Sequence, residues 1–312
     1  MLKRKSLLVI YPMRTNFKKQ DVCAIIVTYQ TKIVQFKKNL KIHQENFKQI
    51  IIVNNSLEID LSQFQSKQVT LINNPENIGL SVGLNIGIKE AKRLGFNLVA
   101  LFDQDTEIPL NFTQKMLQYM NDYQGDKPVA VYAPIFYNHI INETSKHINV
   151  KRFRLVRGLV MEDDYAFPHY VITSGSVIPI DLFDNVGLML EELFIDFVDI
   201  EWCLRARRKG YKIVAMNKVK IYHHLGDYGI HFMGNSYAIH SPIRMYYYFR
   251  NSLYLYRISE VDWNWRMVDA SRNLFRFLFY MLFVKNRSKY FKYIIKGCYH
   301  GLIKKMGKLE EY

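Results

Sequence analysis

Short apolar runs rich in β-branched residues alternate with amphipathic stretches over the first hundred residues of the chain. The predicted elements in this region are strands at 22–29, 49–54, 69–72 and 97–102, with helices at 31–46 and 79–94. Apolar strands that alternate with helices are typical of parallel sheets covered by helices on both faces. The sequence therefore predicts an α/β fold with a doubly wound sheet.

The pattern is less regular beyond residue 128. We predict further strands at 129–134, 170–178 and 212–223, a helix at 199–209, and a long polar loop at 140–168. From residue 241 onward the chain is rich in aromatic residues. These changes divide the chain into a basic tail (1–20), an α/β domain (21–240) and a helical segment (241–312).

Small polar side chains follow three of the predicted strands. They are Thr28 and Tyr29, the run 54–56 (Asn-Asn-Ser), and the run 103–105 (Asp-Gln-Asp). Ligands of open α/β sheets bind at the carboxyl ends of the strands. The three clusters together predict a binding site at this edge.

Asp103 and Asp105 are the strongest candidates for binding a metal. Two carboxylates one residue apart at a strand end can turn toward one point, and hard cations prefer such oxygen ligands. A divalent cation there would offset charge that develops on a departing nucleoside diphosphate. The alternative is a solvated acidic turn or a helix cap.

Acidic residues also cluster at the start of the predicted helix 199–209. Asp199 could act as a general base, with Asp196 as second choice. The alternative is capping, because Asp199 and Glu201 lie near the helix start and arginines lie near its end, as the helix dipole favours.

Two further groups allow two interpretations each. His223 and His224 follow a predicted strand, where a neutral imidazole could be an additional metal ligand or an ordinary histidine. Gly79, Gly83 and Gly87 recur at four-residue spacing, which indicates either close helix–sheet packing or contact with a diphosphate. The dinucleotide and phosphate-loop glycine motifs are absent.

Charge and cysteine content exclude several classes of protein. The formal net charge is +15, yet residues 21–240 hold 23 Lys/Arg and 23 Asp/Glu, so the excess lies at the two ends. A neutral middle argues against a nucleic-acid enzyme, and basic ends predict an anionic partner such as a membrane surface. The three cysteines form neither a metal motif nor a disulfide framework, which favours the cytoplasm. The sequence contains no run of about 18 apolar residues, so we expect no membrane-spanning helix.

Eight motifs in this order resemble family 2 glycosyltransferases of the GT-A fold, especially the bacterial rhamnosyltransferases of surface polysaccharide synthesis. The resemblance covers about residues 21–257. The motifs are AIIVTY at 24–29, VNNS at 53–56, NPENIGLSVGLNIG at 74–87, FDQDT at 102–106, TSGS at 173–176, FIDFVDIEWCLR at 194–205, HHLGD at 223–227 and RMYYYFRN at 244–251.

The resemblance implies a role for each candidate residue. Donor binding falls to Thr28, Tyr29, Asn55, Asn77, Gly79, Asn85, Asp103 and Gln104. The metal ligands would be Asp105, Asp103 and His223, with Mg²⁺ or Mn²⁺ as the cofactor. Asp199 would be the base, although Val198 stands where relatives have an acid. The acceptor side would comprise Trp202, Glu201, Ser174 and Gly175.

The implied reaction moves a sugar from a dTDP- or UDP-sugar, with inversion, to a hydroxyl of a lipid-linked saccharide. The best match is L-rhamnose from dTDP-β-L-rhamnose. The alternatives are a galactosyl, glucosyl or galactofuranosyl transferase, a nucleotidyltransferase, or an inactive scaffold.

The segment 241–312 is predicted to meet a membrane. It carries 14 Lys/Arg, 5 Asp/Glu and 18 of the chain's aromatic residues. Basic helices with aromatic apolar faces lie at membrane interfaces. We therefore expect a cytoplasmic protein bound peripherally to the inner face of the cell membrane. The alternative is a helical cap that packs on the catalytic domain or on another subunit of a homo-oligomer.

Overall fold

The structure is a computed structural model that describes residues 16–138, 143–144, 147–151, 154–158, 163–222, 229–232, 235–258 and 261–310. Its strands are β1 Val22–Thr28, β2 Gln49–Asn54, β3 Val69–Asn73, β4 Leu98–Asp103, β5 Val129–Asn138, β6 Glu143–Thr144, β7 His147–Lys151, β8 Arg154–Gly158, β9 Tyr165–Ala166, β10 Val177–Pro179, β11 Lys212–Tyr222, β12 Gly229–Phe232 and β13 Asn235–Ala238.

The helices are α1 Ile33–Asn46, α2 Leu80–Arg93, α3 Phe112–Asp122, α4 Leu182–Asn185, α5 Val198–Arg208, α6 Pro242–Leu255, α7 Trp263–Phe283 and α8 Arg287–Ile303. Short 3-10 turns lie at Lys19–Asp21, Ser62–Phe64 and Glu191–Leu193. The predicted elements of the first hundred residues are all present, with ends that differ by one or two residues.

Within the described residues, the central sheet has nine strands: eight lie in the order β3-β2-β1-β4-β10-β5-β11-β9, and β6 pairs with β5. Strand β1 lies between β2 and β4 and is parallel to both. All seven of its residues are buried, as its continuous apolar sequence requires. The predicted α/β fold with a mixed, doubly wound sheet is confirmed.

The register aligns the polar ends of the central strands. Thr28 pairs with Asn54, and Val27 pairs with both Val53 and Asp103. Parallel strands that end in register bring their last side chains to one edge. This alignment forms the floor of the site described below.

Two predictions for the second half of the sheet are wrong. The strand expected at 170–178 is reduced to β10, because the chain turns at Gly175, whose φ is 78°. A Cβ at that position would lie 2.5 Å from Cγ of Pro134, so the turn packs tightly against β5. The expected loop at 140–168 contains short strands in its described part, including the antiparallel pair β7–β8.

The C-terminal helices pack on the sheet domain and on one another. Helix α6 lies against α8, and the backbones approach closely at Gly297 and Gly301, where an added Cβ would meet the carbonyl oxygens of Tyr246 and Arg250. Aromatic residues of α7 and α8 meet at Tyr280 and Tyr290, with ring centroids 4.9 Å apart. Among the described residues, no helix has the length and apolar character needed to cross a bilayer.

Candidate active site

A cavity of about 560 Å³ opens at the carboxyl ends of β1 and β4. One wall comes from residues 27–105 and the other from residues 172–248. The first wall contains Val27, Thr28, Tyr29, Asn55, Asn77, Gly79, Leu80, Asp103, Gln104 and Asp105. The second contains Ile172, Thr173, the run 194–200, Arg244 and Tyr248.

Gln104 fixes the end of β1 to the end of β4. Its side-chain oxygen accepts from the backbone N–H of Tyr29 at 2.8 Å and from the hydroxyl of Thr31 at 2.7 Å. Its amide donates to the Tyr29 carbonyl at 2.9 Å. Gln104 therefore shapes the cavity floor and holds Tyr29, which is partly exposed to solvent.

Asp103 and Asp105 both line this floor. The backbone N–H of Asp103 donates to the Ser174 hydroxyl at 3.2 Å, and that hydroxyl is hydrogen-bonded to Thr106. These bonds fix the turn that carries both carboxylates. Two carboxylates that face a cavity fit a hard divalent cation that retains room for phosphate oxygens.

The third predicted metal ligand, His223, lies outside the described residues, as does His224. Within the described residues, no group of three or more His, Cys, Asp or Glu side chains is arranged to hold a metal ion. Of the three predicted metal ligands, Asp103 and Asp105 are therefore the two that lie among the described residues.

Asn55 and Asn77 position Gly79 at the start of α2. The amide of Asn55 donates to the Gly79 carbonyl at 3.0 Å, and the side-chain oxygen of Asn77 accepts from the Gly79 N–H at 3.0 Å. Gly79 has φ 89°, and an added Cβ would lie 2.5 Å from the ring of Phe194. Glycine is required here by both conformation and space.

The other two glycines of this helix serve packing. An added Cβ at Gly83 would lie 2.9 Å from Val27, and one at Gly87 would lie 2.4 Å from Ile25. Asn85 lies on the same helix but does not line the cavity. Its amide bonds the backbone of Met189 in both directions, at 2.9 Å each, which places it in the scaffold.

Asp199 faces the cavity from the first turn of α5. Its carboxylate accepts from the backbone N–H groups of Thr173 at 3.1 Å and Ile200 at 2.8 Å. Its pKa is raised to about 6, mainly by burial and also by the charge of Asp103, while these hydrogen bonds oppose the shift. A carboxylate with a pKa near 6 is suited to accepting a proton near neutral pH.

Asp196 is paired with an arginine from another helix. Arg244 of α6 donates to its carboxylate, with Nη2 3.0 Å from Oδ1 and Nε 3.2 Å from the same oxygen. Burial lowers the pKa of Arg244, but the charge and hydrogen bond of Asp196, together with the charges of Asp103 and Tyr280, raise it, so the net shift is upward. Of the two candidate bases, Asp196 is therefore the one bound to an arginine, whereas the carboxylate of Asp199 accepts from backbone N–H groups.

Arg244 and Tyr248 are lining residues that sequence reasoning missed. They lie one helical turn apart in α6, within the motif RMYYYFRN at 244–251, so their side chains share a face. The signal that could have predicted them is the four-residue spacing of Arg244 and Tyr248 in this motif, which places a cation and an aromatic ring on one helix face.

The two residues that end this motif hold the wall that carries Asp196. Phe194, Asp196 and Phe197 have φ values of 63°, 62° and 66°, which non-glycine residues adopt at a cost. Asn251 donates to the carbonyls of Leu193, Ile195 and Asp196 at 2.9, 2.7 and 3.0 Å. The wholly buried Arg250 donates to Leu193 at 2.9 Å and also bonds Gly307.

Four residues predicted for the acceptor side are scaffold residues by their contacts. The indole of Trp202 is buried and donates to the Gly187 carbonyl at 2.8 Å. Glu201 is buried against Arg205 at 2.8 Å. Ser174 and Gly175 form the turn beneath Asp103. None of the four is among the residues that line the cavity.

Comparison with known proteins shows the family to which this chain belongs. The family model described as "Glycosyl transferase family 2" matches residues 22–182. The chain is 29% identical over 286 residues to "dTDP-rhamnosyl transferase RfbF" of Shigella flexneri, which covers 90% of this chain and 95% of that protein.

Solved structures share the fold. The TarS 1–349 structure of S. aureus in complex with UDP-GlcNAc superposes with a TM-score of 0.57 at 13% identity, covering 88% of this chain and 79% of that one. GalNAc-T7 with UDP, GalNAc and Mn²⁺ gives a TM-score of 0.52 at 11% identity, covering 81% of this chain. This chain spans about half of the GalNAc-T7 chain (54%).

Proposed function

Because this chain belongs to glycosyl transferase family 2, we propose that its cavity binds a nucleotide-sugar donor and transfers the sugar, with inversion, to an acceptor hydroxyl. The observation that carries the proposal is the placement of Asp103, Asp105 and Asp199 around one cavity at the sheet edge. The donor occupies the wall from residues 27–105, and the acceptor approaches from the wall that carries Asp199.

Asp199 is the base in this proposal. Its carboxylate takes the proton of the acceptor hydroxyl while the acceptor oxygen bonds to the anomeric carbon from the face opposite the diphosphate. The bond between that carbon and the diphosphate oxygen breaks in the same step, so the configuration inverts. Asp196 instead holds Arg244 at the cavity wall.

Asp103 and Asp105 would hold Mg²⁺ or Mn²⁺, with His223 as the additional ligand proposed from the family resemblance. Both cations accept carboxylate oxygens. When bound, the cation offsets the negative charge that develops on the leaving nucleoside diphosphate.

The proposed donor is dTDP-β-L-rhamnose, and the proposed product is an α-linked rhamnoside. The full-length similarity to the rhamnosyl transferase of Shigella flexneri supports this choice. The proposed acceptor is a lipid-linked saccharide of a cell-surface polysaccharide. The protein would then act in the cytoplasm, bound peripherally to the inner face of the cell membrane.

Donor binding and turnover test the proposal directly. The purified protein is mixed with Mg²⁺ or Mn²⁺ and one nucleotide sugar at a time, and both thermal stabilisation and release of the nucleoside diphosphate are measured. A donor at a hundredfold excess over its dissociation constant stabilises the fold by about 2.7 kcal/mol. We expect stabilisation by dTDP-β-L-rhamnose that EDTA or Asp105→Asn removes.

Variants separate donor binding from chemistry. Asp199→Asn should keep the stabilisation by donor and lose sugar transfer, whereas Asp122→Asn on the exposed face of α3 should keep both. A response to a UDP-sugar alone would retain the mechanism and replace the sugar. A folded protein that responds to no donor would contradict the proposed function.

A further inference from the structure

Helix α7 carries an apolar face that points to solvent. The side chains of Trp263, Met267, Leu274, Leu278 and Leu282 are all exposed, and that of Trp263 is 62% exposed. They recur at intervals of four or seven residues, which places them along one face of the helix. The opposite face is buried, so the exposure does not reflect loose packing of the helix.

Helix α8 continues this surface. It exposes Phe291, Ile295, Tyr299, Leu302 and Ile303, again at helical spacing. The ring of Phe291 lies 6.2 Å from that of Phe277 in α7, so the two faces adjoin where the helices meet. Exposed apolar patches of this extent mark interaction sites on soluble domains.

The charge around the two faces identifies the partner. Residues 270–309 contain ten Lys/Arg and no Asp/Glu. Lys289, Lys292 and Lys296 are exposed on α8 itself. A second copy of this chain would bring the same cations together, whereas an anionic lipid surface would attract them and accept the apolar side chains.

We propose that the outward faces of α7 and α8, here called the basic apolar face, dock on the surface of a bilayer that contains anionic lipid. Trp263 and the leucines insert at the boundary between head groups and acyl chains, and the lysines meet the lipid phosphates. The basic apolar face would be the surface through which the protein reaches the membrane. The biological role of docking rests on the proposed function, but docking itself is measurable without any sugar substrate.

Vesicle sedimentation tests the proposal on the full chain. The probes are vesicles of phosphatidylcholine alone and vesicles that also contain phosphatidylglycerol, each at low and high salt. We expect binding to the anionic vesicles that weakens at high salt, because added salt shortens the Debye length, which is about 8–10 Å near physiological ionic strength. The emission of Trp263 should shift to shorter wavelength on binding, since Trp202 and Trp265 are buried.

Two sets of variants locate the surface. Leu278→Glu with Leu282→Glu should reduce binding at least about tenfold, whereas Val34→Glu with Leu110→Glu, at exposed apolar sites elsewhere, should not. Likewise Lys289→Glu, Lys292→Glu and Lys296→Glu should reduce it about tenfold or more, and the exposed lysines Lys37, Lys38 and Lys41 of α1 serve as the matched control.

Three results would overturn the proposal. The first is that the folded wild-type chain fails to sediment with anionic vesicles at low salt. The second is that the control variants lose binding as much as the test variants do. The third is a dimer in light scattering that Leu278→Glu with Leu282→Glu dissociates, without vesicle binding, which would assign the face to a second copy. Failure of sugar transfer alone would leave the docking result standing.

Discussion

At the scale of single residues, the two candidate bases differ in what surrounds them. Asp196 has a guanidinium partner, whereas the half-buried Asp199 accepts hydrogen bonds from two backbone N–H groups. The sequence showed both carboxylates but not this difference, because Arg244 lies 48 residues further along the chain.

The pKa of Asp199 predicts the acid limb of the pH profile. The base must be ionised, and burial raises its pKa to about 6, so kcat should fall as pH falls below that value, by roughly tenfold per unit. The measurement is kcat against pH with saturating donor. Asp196→Asn should keep this limb, and Asp199→Asn should lower kcat by about 10²-fold or more. Equal losses in both variants would contradict the assignment.

The same environment predicts a gain in stability when Asp199 is neutralised. Because its folded pKa lies above its unfolded value, the fold favours the protonated form, and the ionised carboxylate destabilises the protein above pH 6. Stability should therefore rise as pH falls from about 6 toward 4. We expect Asp199→Asn to raise the free energy of unfolding at pH 7 by about 1–3 kcal/mol in urea denaturation. An unchanged or lowered value would indicate that the lost carboxylate contacts outweigh burial.

At the scale of elements, the cavity depends on how α2 begins and on how α6 holds the opposite wall. The strands and α2 were predictable because apolar period and glycine spacing are local signals. The positive φ values of Phe194, Asp196 and Phe197 were not predictable, because hydrogen bonds from Arg250 and Asn251 hold the conformation of this segment. The reduced strand β10 was missed for a similar reason, since the turn at Gly175 interrupts an apolar pattern.

Gly79 and Gly95 have similar φ values but differ in the space around them. Alanine substitutions at these two positions therefore distinguish the cost of the backbone conformation from the cost of a steric clash. Gly79 has φ 89° and no room for a Cβ, whereas Gly95 has φ 82° and nothing within 4 Å of an added Cβ. We expect Gly95→Ala to cost about 1–2 kcal/mol of stability. Gly79→Ala should cost more and also raise the KM for donor, because Phe194 must move. Thermal unfolding and donor titration check this, and equal costs with unchanged KM would refute it.

Replacing Arg250 should loosen the wall that carries Asp196. Arg250→Met removes the guanidinium that donates to the backbone carbonyls of Leu193 and Gly307, and a buried methionine supplies no donor in its place, so we expect a loss of about 3 kcal/mol or more in the free energy of unfolding. Arg93→Met, at an exposed i,i+3 ion pair, is the control and should cost under about 0.5 kcal/mol. Arg250→Lys should not restore stability, because an ammonium cannot span the separate carbonyls. Full restoration by lysine would show that charge alone matters.

At the scale of the whole molecule, the cavity joins two parts of the chain that carry different kinds of sequence signal. The polar residues of the wall from 27–105 were largely predictable, because polar side chains at strand ends converge by the geometry of a parallel sheet, although Asn85 lies in the scaffold. The wall from 172–248 is formed by a turn, a segment with positive φ values and a helix, and no local sequence pattern predicts that these three come together. The acceptor-side residues expected from the sequence accordingly lie in the scaffold.

This division of the cavity has an evolutionary consequence. The family model matches residues 22–182, whereas Asp199, Arg244 and Tyr248 lie beyond that span. Under the function proposed above, selection on the second wall can change the acceptor without altering the wall that binds the donor. Among relatives, we expect the donor to correlate with the sequence of the first half of the chain. We expect the second half to vary with the glycan that each organism makes. Chimeras joined near residue 182 would then inherit one preference from each parent.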